Sequence, residues 1–593
     1  MQVLWRDDRM TLNSTSRFLN PPSFVCISLV LIAIVFFGLI RYRLRDMPLE
    51  RDEGEYAYSG QLLLQGIPPY QLAYNMKLPG IYAAYAAIFA AFGETPAAIH
   101  LGLLLMNATT TLLLYFLTAK LFGRFAGVVS ACCYALLSTS TSVLGFQAHA
   151  TNFVVMPAML GVLLLLYALD TDPRPSWLFV TSGFFSGIAF LMKQHGLFFV
   201  LFCFVYLVGR ECKMKIKMKT KPARREIVRD GTLFAAGLGF PYVLACLLLY
   251  RAGVFHQFWF WTFSYAGEYS KMGFHRAVRA FVENFGSVIT PAIPIWILAL
   301  IGMAAPLWNA TARRHSGFLI GFFSCSFIAL CPGAYFRPHY FILILPAIAL
   351  LAGVAVSSAT EKLAAIAARP WQLIPAVILL VCFGYAISRQ WQTYFWLSPI
   401  EVFRQTYPGS PFVAAVTVAD YLRQNSPENS QIAVLGSEPE IYFYANRHSA
   451  TGYLYMYSLI VRHKYTARMR QEMLTQLNAN RPEYVIYVDV TESWGDRNGN
   501  PQTAAFLSAL NEFMDREYAR VGVAEIGSPA APALEFVWGD AAKTFLPQTD
   551  RVIYVLKRKQ EALVPPNAET SGNAKSKLTL TAAKPRLAIS IPN

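Results

Sequence analysis

Eleven predominantly apolar runs, at 24–40, 97–118, 126–146, 153–169, 177–192, 196–209, 231–250, 291–308, 317–332, 340–357 and 371–388, divide the first two thirds of this 593-residue chain. Polar or Gly/Pro-rich joints separate them, and most approach the length that crosses a bilayer as a helix. With 55% hydrophobic and only 15% charged residues, the composition excludes an ordinary soluble globule. The expected fold is a polytopic α-helical membrane protein. A twelfth run, 79–92, has 14 residues and reaches only about 21 Å at about 1.5 Å per residue, short of the roughly 30 Å hydrocarbon core. It is expected to be re-entrant or interfacial.

The formal net charge of +16 reads first as topology. Nine Lys or Arg lie from Arg210 to Arg229, between two apolar runs. If 79–92 does not span, this cluster falls on the N-terminal side with Lys120/Arg124, Arg174, Arg313/Arg314 and Lys362/Arg369. The positive-inside rule then makes that side cytoplasmic. Arg41, Arg43 and Arg45 follow the first run on the outer side and go against the count. The first run is expected to be a retained anchor, because no small-x-small cleavage site follows it and Arg41-Tyr42-Arg43 suits signal peptidase poorly. The charge therefore implies membrane lipids as partners and no nucleic acid.

Everything after about Gln390 then lies outside the membrane. Gln431–Leu435, Tyr484–Val488 and Val552–Leu556 read as buried strands, with amphipathic helices at Phe412–Gln424, Val461–Leu477 and Thr503–Tyr518. The alternation predicts an α/β domain. The expected organisation is a transmembrane domain over 1–389 with a catalytic outer loop at 41–96, an extracytoplasmic α/β domain over 390–558, and a disordered tail over 559–593. All nine cysteines lie at or before Cys382, so the outer domain must stand on its apolar core. No Cys/His spacing resembles a zinc site.

Chemistry is expected at Asp52-Glu53-Gly54-Glu55, because three carboxylates at a membrane boundary are costly beside lipid and belong in a water-filled site. The same face collects Lys77, His149 and Asn152, Lys193 in an apolar hairpin broken at Leu191–Gly196, and Arg337 with His339 before the tenth run. A carboxylate can receive or orient an acceptor proton, and cations can stabilise a departing phosphate. Asp52 suits the first role, and Lys77, Lys193 and Arg337 the second. The competing readings are helix capping for Asp52 and Glu53, interfacial snorkelling for Lys77 and Arg337, and structural histidines. Phe258-Trp259-Phe260-Trp261 is expected to anchor in lipid.

These residues resemble a family. Arg51 to Tyr58 and Lys77-Leu78-Pro79-Gly80 are similar to the first outer loop of membrane-embedded GT-C glycosyltransferases, in particular the group of lipid A aminoarabinose transferase and the protein O-mannosyltransferases. Phe122-Gly123-Arg124, Lys193-Gln194, Pro338-His339-Tyr340-Phe341 and Gly436 to Tyr442 extend the resemblance. It implies inverting transfer of one sugar from a polyprenyl-phosphate donor to an envelope lipid, glycan or protein at the outer face of the inner membrane. Asp52 and Glu53 would take the catalytic positions, and Glu55, Lys77, Lys193, Arg337 and His339 would bind substrate. Many relatives carry a second acid before the fourth span, where this chain has Ala148 to Phe153 without one. A divalent cation is left open. A transporter or a non-catalytic envelope scaffold are the alternatives. The first should show paired repeats with broken helices, of which there is no convincing sign, and the second would tolerate loss of Asp52.

Overall fold

The computed structural model describes residues 22–217, 224–269, 273–366, 368–495, 501–528 and 531–559. Each of the eleven apolar runs lies on a helix. Among the described residues, seven helices are long and apolar enough to cross a membrane: Ser23–Arg43, Pro96–Phe122, Ala150–Asp170, Arg225–Arg251, Phe274–Leu307, Leu345–Ile366 and Pro370–Arg389. Pro79–Phe92, Arg124–Ser138, Ser176–Met192, Gln194–Arg210 and Ser316–Ile328 are apolar but shorter. The tail beyond 559 and part of the basic loop, 218–223, lie outside the described residues.

Three of the expected boundaries shift, each for a local reason. The run at 126–146 is helical only to Ser138, where consecutive hydroxyl residues through Ser142 favour a 3-10 turn over further helix. The run at 340–357 begins its helix at Leu345, after a separate turn, Pro338–Leu343, that sets Arg337 and His339 apart from the helix axis. The run at 291–308 continues backwards into an amphipathic segment through a bend at Pro291 and Pro294. Phe274, Val278 and Val282 stay exposed on that segment.

The arginines that opposed the positive-inside count are not free loop charges. Arg41 is buried and donates to Ser138 O and Gly145 O, both at 2.6 Å, satisfying carbonyls where a helix ends. Arg43 donates to Leu397 O at 2.6 Å and to Thr393 O. Phe258 and Trp261 also depart from expectation: both are buried, and only Trp259 of the four-residue run is exposed, at 49%. The run packs inward, with Trp261 stacked on Tyr74, and is not a lipid anchor as a whole.

The C-terminal part is a six-stranded mixed sheet of β1 (Gln431–Leu435), β2 (His448–Ser449), β3 (Tyr484–Asp489), β4 (Tyr518–Ser528), β5 (Ala531–Trp538) and β6 (Val552–Arg558), in the order β2-β1-β3-β6-β4-β5. β1 pairs parallel with β2 and β3, whereas β6 runs antiparallel to β3 and β4. Helices Phe412–Asn425, Thr466–Asn480 and Pro501–Glu517 bury apolar faces within this region. The expected strands are β1, β3 and β6, while β2, β4 and β5 are additional.

The described residues up to Arg558 pack as one compact unit, and the outer sheet is joined tightly to the first outer loop. Tyr74 N donates to Gly452 O at 2.6 Å, Ser449 N donates to Tyr58 OH at 2.7 Å, and Leu49 N donates to Tyr444 OH at 2.8 Å. The Arg51–Leu64 helix approaches the Glu440–Ala445 helix so closely that a Cβ on Gly54 would lie 2.6 Å from Glu440 N.

Two outcomes are expected. A reporter fused after Gln390 should be extracytoplasmic and one within the Lys213–Lys221 loop cytoplasmic; both on one side would overturn the topology. Gly54→Ala should lower the melting temperature in detergent, since backbone opposes the added methyl and overpacking costs about 1–3 kcal/mol. An unchanged Tm would show that the outer domain is not docked on this helix.

Candidate active site

Glu50, Arg51, Asp52, Glu53 and Glu55 crowd the start of one helix, and a turn of about 100° per residue sends each to a different surface. Glu50 is the N-cap. Its Oε1 accepts from Glu53 N at 3.0 Å, and Glu53 Oε2 accepts from Glu50 N at 3.4 Å, a reciprocal cap that fixes where the helix begins. Arg51 points to the outer domain, donating to Ser437 O at 2.6 Å and to Glu438 Oε1 at 3.2 Å. Glu53 points into the helix bundle. It is fully buried, accepts from Ala148 N at 2.6 Å and lies 3.1 Å from His100 Nε2.

Asp52 faces a cavity of about 260 Å³ between the outer ends of the helices and the C-terminal sheet. Its Oδ2 lies 3.4 Å from Lys77 Nζ and 3.9 Å from His149 Nδ1, and its Oδ1 accepts from Tyr455 OH at 3.4 Å. Lys77 also donates to Tyr56 OH at 2.9 Å. The loop bearing it is pinned by Tyr70 OH on Lys77 O and Gln194 Nε2 on Met76 O, both at 2.8 Å. Lys193 occupies the extended break between two helical segments, is 5% exposed, and holds its ammonium 4.1 Å over the Tyr340 ring. Arg337 opens onto the cavity and lies 3.4 Å from Tyr269 OH.

The structure therefore brings together Asp52, Lys77, Lys193 and Arg337 on one cavity wall. Glu53, Glu55 and His339 are buried and do not line the cavity, although His339 lies directly behind Asp52 and His149. Glu55 is fully buried, with Oε1 accepting from Tyr82 OH at 2.6 Å and Oε2 from Tyr455 OH at 3.1 Å. His339 stacks on His149 with ring centroids 4.0 Å apart.

Electrostatics separates these groups. Burial would raise the Asp52 carboxyl, but Lys77, with Arg337 and Lys193 beyond it, prevails and holds it below the usual carboxylate range. Burial pushes Glu55 up to about 7, with Lys77 and the Tyr82 hydrogen bond only partly opposing. Burial and the neighbouring Lys77 charge lower the Lys193 ammonium well below its ordinary value. Burial also lowers His149 to about 4 and His339 well below its usual range, leaving both imidazoles neutral at pH 7.

Asp52, His149 and His339 each offer one ligand atom, all within 4.8 Å of one another. Both ring nitrogens of His149 are buried without a hydrogen-bond partner among the described residues. Neutral imidazoles and a carboxylate are a donor set that fits a divalent cation such as zinc.

Much of the remaining lining is aromatic. Trp261, Tyr265, Tyr269 and Tyr335 form one side, and Tyr453, Tyr455 and Tyr457 cover it from the outer domain. The sequence reading missed this cover. Its signal was an aromatic at every second residue, 453, 455 and 457, which places three rings on one side of an extended segment.

With this geometry in view, known proteins fit the same frame. The family described as dolichyl-phosphate-mannose-protein mannosyltransferase matches residues 77–223. ArnT from Cupriavidus metallidurans, bound to undecaprenyl phosphate, is 14% identical with a TM-score of 0.53 over 90% of this chain and 98% of that chain. Its apo state gives 15% identity and the same TM-score. The archaeal oligosaccharyltransferase AglB from Archaeoglobus fulgidus, in complex with an inhibitory peptide and a dolichol-phosphate, is 13% identical with a TM-score of 0.50 over 87% of this chain and 74% of that chain. No curated protein sequence matches the chain. The chain is an integral membrane protein with the GT-C glycosyltransferase fold.

Proposed function

We propose that the protein is an inverting glycosyltransferase, moving one monosaccharide from a polyprenyl-phosphate donor to an envelope lipid, glycan or protein at the outer face of a bacterial inner membrane. The observation that carries this reading is one carboxylate, Asp52, set among Lys77, Lys193 and Arg337 on a single cavity wall. Asp52 would orient the acceptor hydroxyl and take its proton as the acceptor oxygen attacks the anomeric carbon. The bond from that carbon to the phosphate oxygen breaks with its electron pair, and the three cations stabilise the phosphate as it leaves. Attack opposite the leaving group inverts the anomeric centre. Lys193 supports the phosphate role most directly, because no acid pairs with it among the described residues and an arriving dianion would favour its charged form. The aromatic side of the cavity suits a sugar face or the first isoprene units.

A divalent cation is the second reading, favoured by the unpartnered His149 nitrogens. Asp52, His149 and His339 would hold it, and it would add positive charge beside the donor phosphate. Lys77, 3.4 Å from the same carboxylate, already supplies charge there.

Mass spectrometry of envelope lipids, glycans and glycoproteins from a deletion strain beside its parent tests the function, and an unchanged envelope would count against it. In purified protein, Asp52→Asn should abolish transfer while donor binding persists. Lys77→Ala and Arg337→Ala should each slow transfer about 10-fold to 1,000-fold, the scale of losing one oxyanion-type donor. Arg337→Lys should retain part of the rate, since a single ammonium cannot reproduce a planar fork on two oxygens. Near-normal alanine variants would return both residues to interface packing. Chelation should leave transfer largely intact; loss on chelation with recovery on adding zinc or manganese would establish the cation at Asp52, His149 and His339.

A further inference from the structure

Glu55 has no direct route to the cavity. It is fully buried, and its two oxygens are taken by Tyr82 at 2.6 Å and Tyr455 at 3.1 Å. Tyr455, in contrast, lines the cavity, and its single hydroxyl reaches Glu55 Oε2, Asp52 Oδ1 at 3.4 Å and Arg51 O at 3.2 Å. A phenol has one proton to give and two lone pairs to receive with. Between two carboxylates it can pass a proton from one to the other, receiving on one side as it donates on the other.

The geometry points to a relay in which the acceptor proton taken by Asp52 moves through Tyr455 to Glu55, an inference that rests on the transferase reading above. The acceptor O–H bond breaks and its proton goes to Asp52 Oδ1. That proton passes to Tyr455 Oη while the phenol's own proton passes to Glu55 Oε2. The acceptor oxygen forms its bond to the anomeric carbon, and the phosphate departs with the electron pair of the bond that breaks. The proton left on Glu55 returns by the same route to water when the product leaves.

The environments of the two acids favour this direction. Asp52 sits among cations that disfavour its protonated form. Glu55 sits where burial stabilises its neutral form. The charged and titratable groups facing Glu55 are Lys77 and Tyr70 from the loop, Tyr82 and Tyr85 from the Pro79–Phe92 helix, Asp52 and Tyr56 from its own helix, and Tyr455 from the outer domain. Among these Lys77 favours ionised Glu55 and Asp52 opposes it. Because Glu55 is raised to about 7, it is already protonated below that pH and cannot receive. Turnover should therefore rise with pH through the region of about 7.

The test reads release of undecaprenyl phosphate from a panel of undecaprenyl-phosphate-linked pentoses and hexoses across pH. Glu55→Gln and Tyr455→Phe should each slow release about 10-fold to 100-fold at pH 8, within the range of acid–base assistance, and each should lose the limb near pH 7. The double variant should be no slower than the slower single one. Variants that keep both the wild-type rate and the limb, or losses that multiply in the double variant, would overturn the relay. A wild type inactive on the whole panel would count against the transferase reading and the relay together, whereas a working wild type with indifferent variants counts against the relay alone. Infrared difference spectra of the purified protein from about pH 5 to about pH 9 need no turnover. They should show a buried carboxylic acid titrating near pH 7 that Glu55→Gln removes, and its absence from the wild type would also overturn the relay.

Discussion

A helix that opens with five ionisable residues can be buried only if each finds its own partner, and the site is organised by that requirement. An unpaired buried charge costs several kcal/mol. Arg51 is satisfied by the outer domain, Asp52 by Lys77, Glu53 by the Ala148 amide just before the Ala150–Asp170 helix, and Glu55 by two phenols. The partners come from the bundle, the loop and the C-terminal sheet. One short helix thereby fixes three parts of the protein relative to one another, and the mutual cap of Glu50 and Glu53 sets the rotation at which this happens.

The cavity that results has a charge imbalance. Four basic residues, Arg51, Lys77, Lys193 and Arg337, meet one acid, Asp52, around it, with neutral imidazoles behind them. Burial and the neighbouring Lys77 charge disfavour the Lys193 ammonium. A cavity lined in this way suits an anion, which would favour the charged form of Lys193. The aromatic sides, being neutral and stiff, define shape without altering that balance.

Much of this was legible in the sequence. Asp52, Lys77, Lys193 and Arg337 stand out because charges at the breaks of apolar runs have few structural uses. What sequence could not give was direction. Whether Glu53 or Glu55 turns toward the cavity depends on the residue at which the helix starts, and that is set by an acid, Glu50, in a role more often filled by Ser, Thr, Asp or Asn. Tyr455 was hidden for another reason, since alternating aromatics also mark any half-buried strand and this one lies 400 residues from Glu55. In the sheet, β4 and β5 escaped notice because Glu525 and Glu535 face each other across the pair. Like charges there are unfavourable, but Glu525 Oε1 accepts the amides of Gln548 and Thr549 at 2.7 and 2.5 Å.

The strand order has a consequence for biogenesis. β6, the last strand to leave the ribosome, inserts between β3 and β4 in the middle of the sheet. Until it arrives, β1 to β3 and β4 to β5 are two half-sheets with unpaired edges. A chain lacking β6 would leave the facing edges of β3 and β4 unpaired, so the sheet closes only when its last described strand is in place.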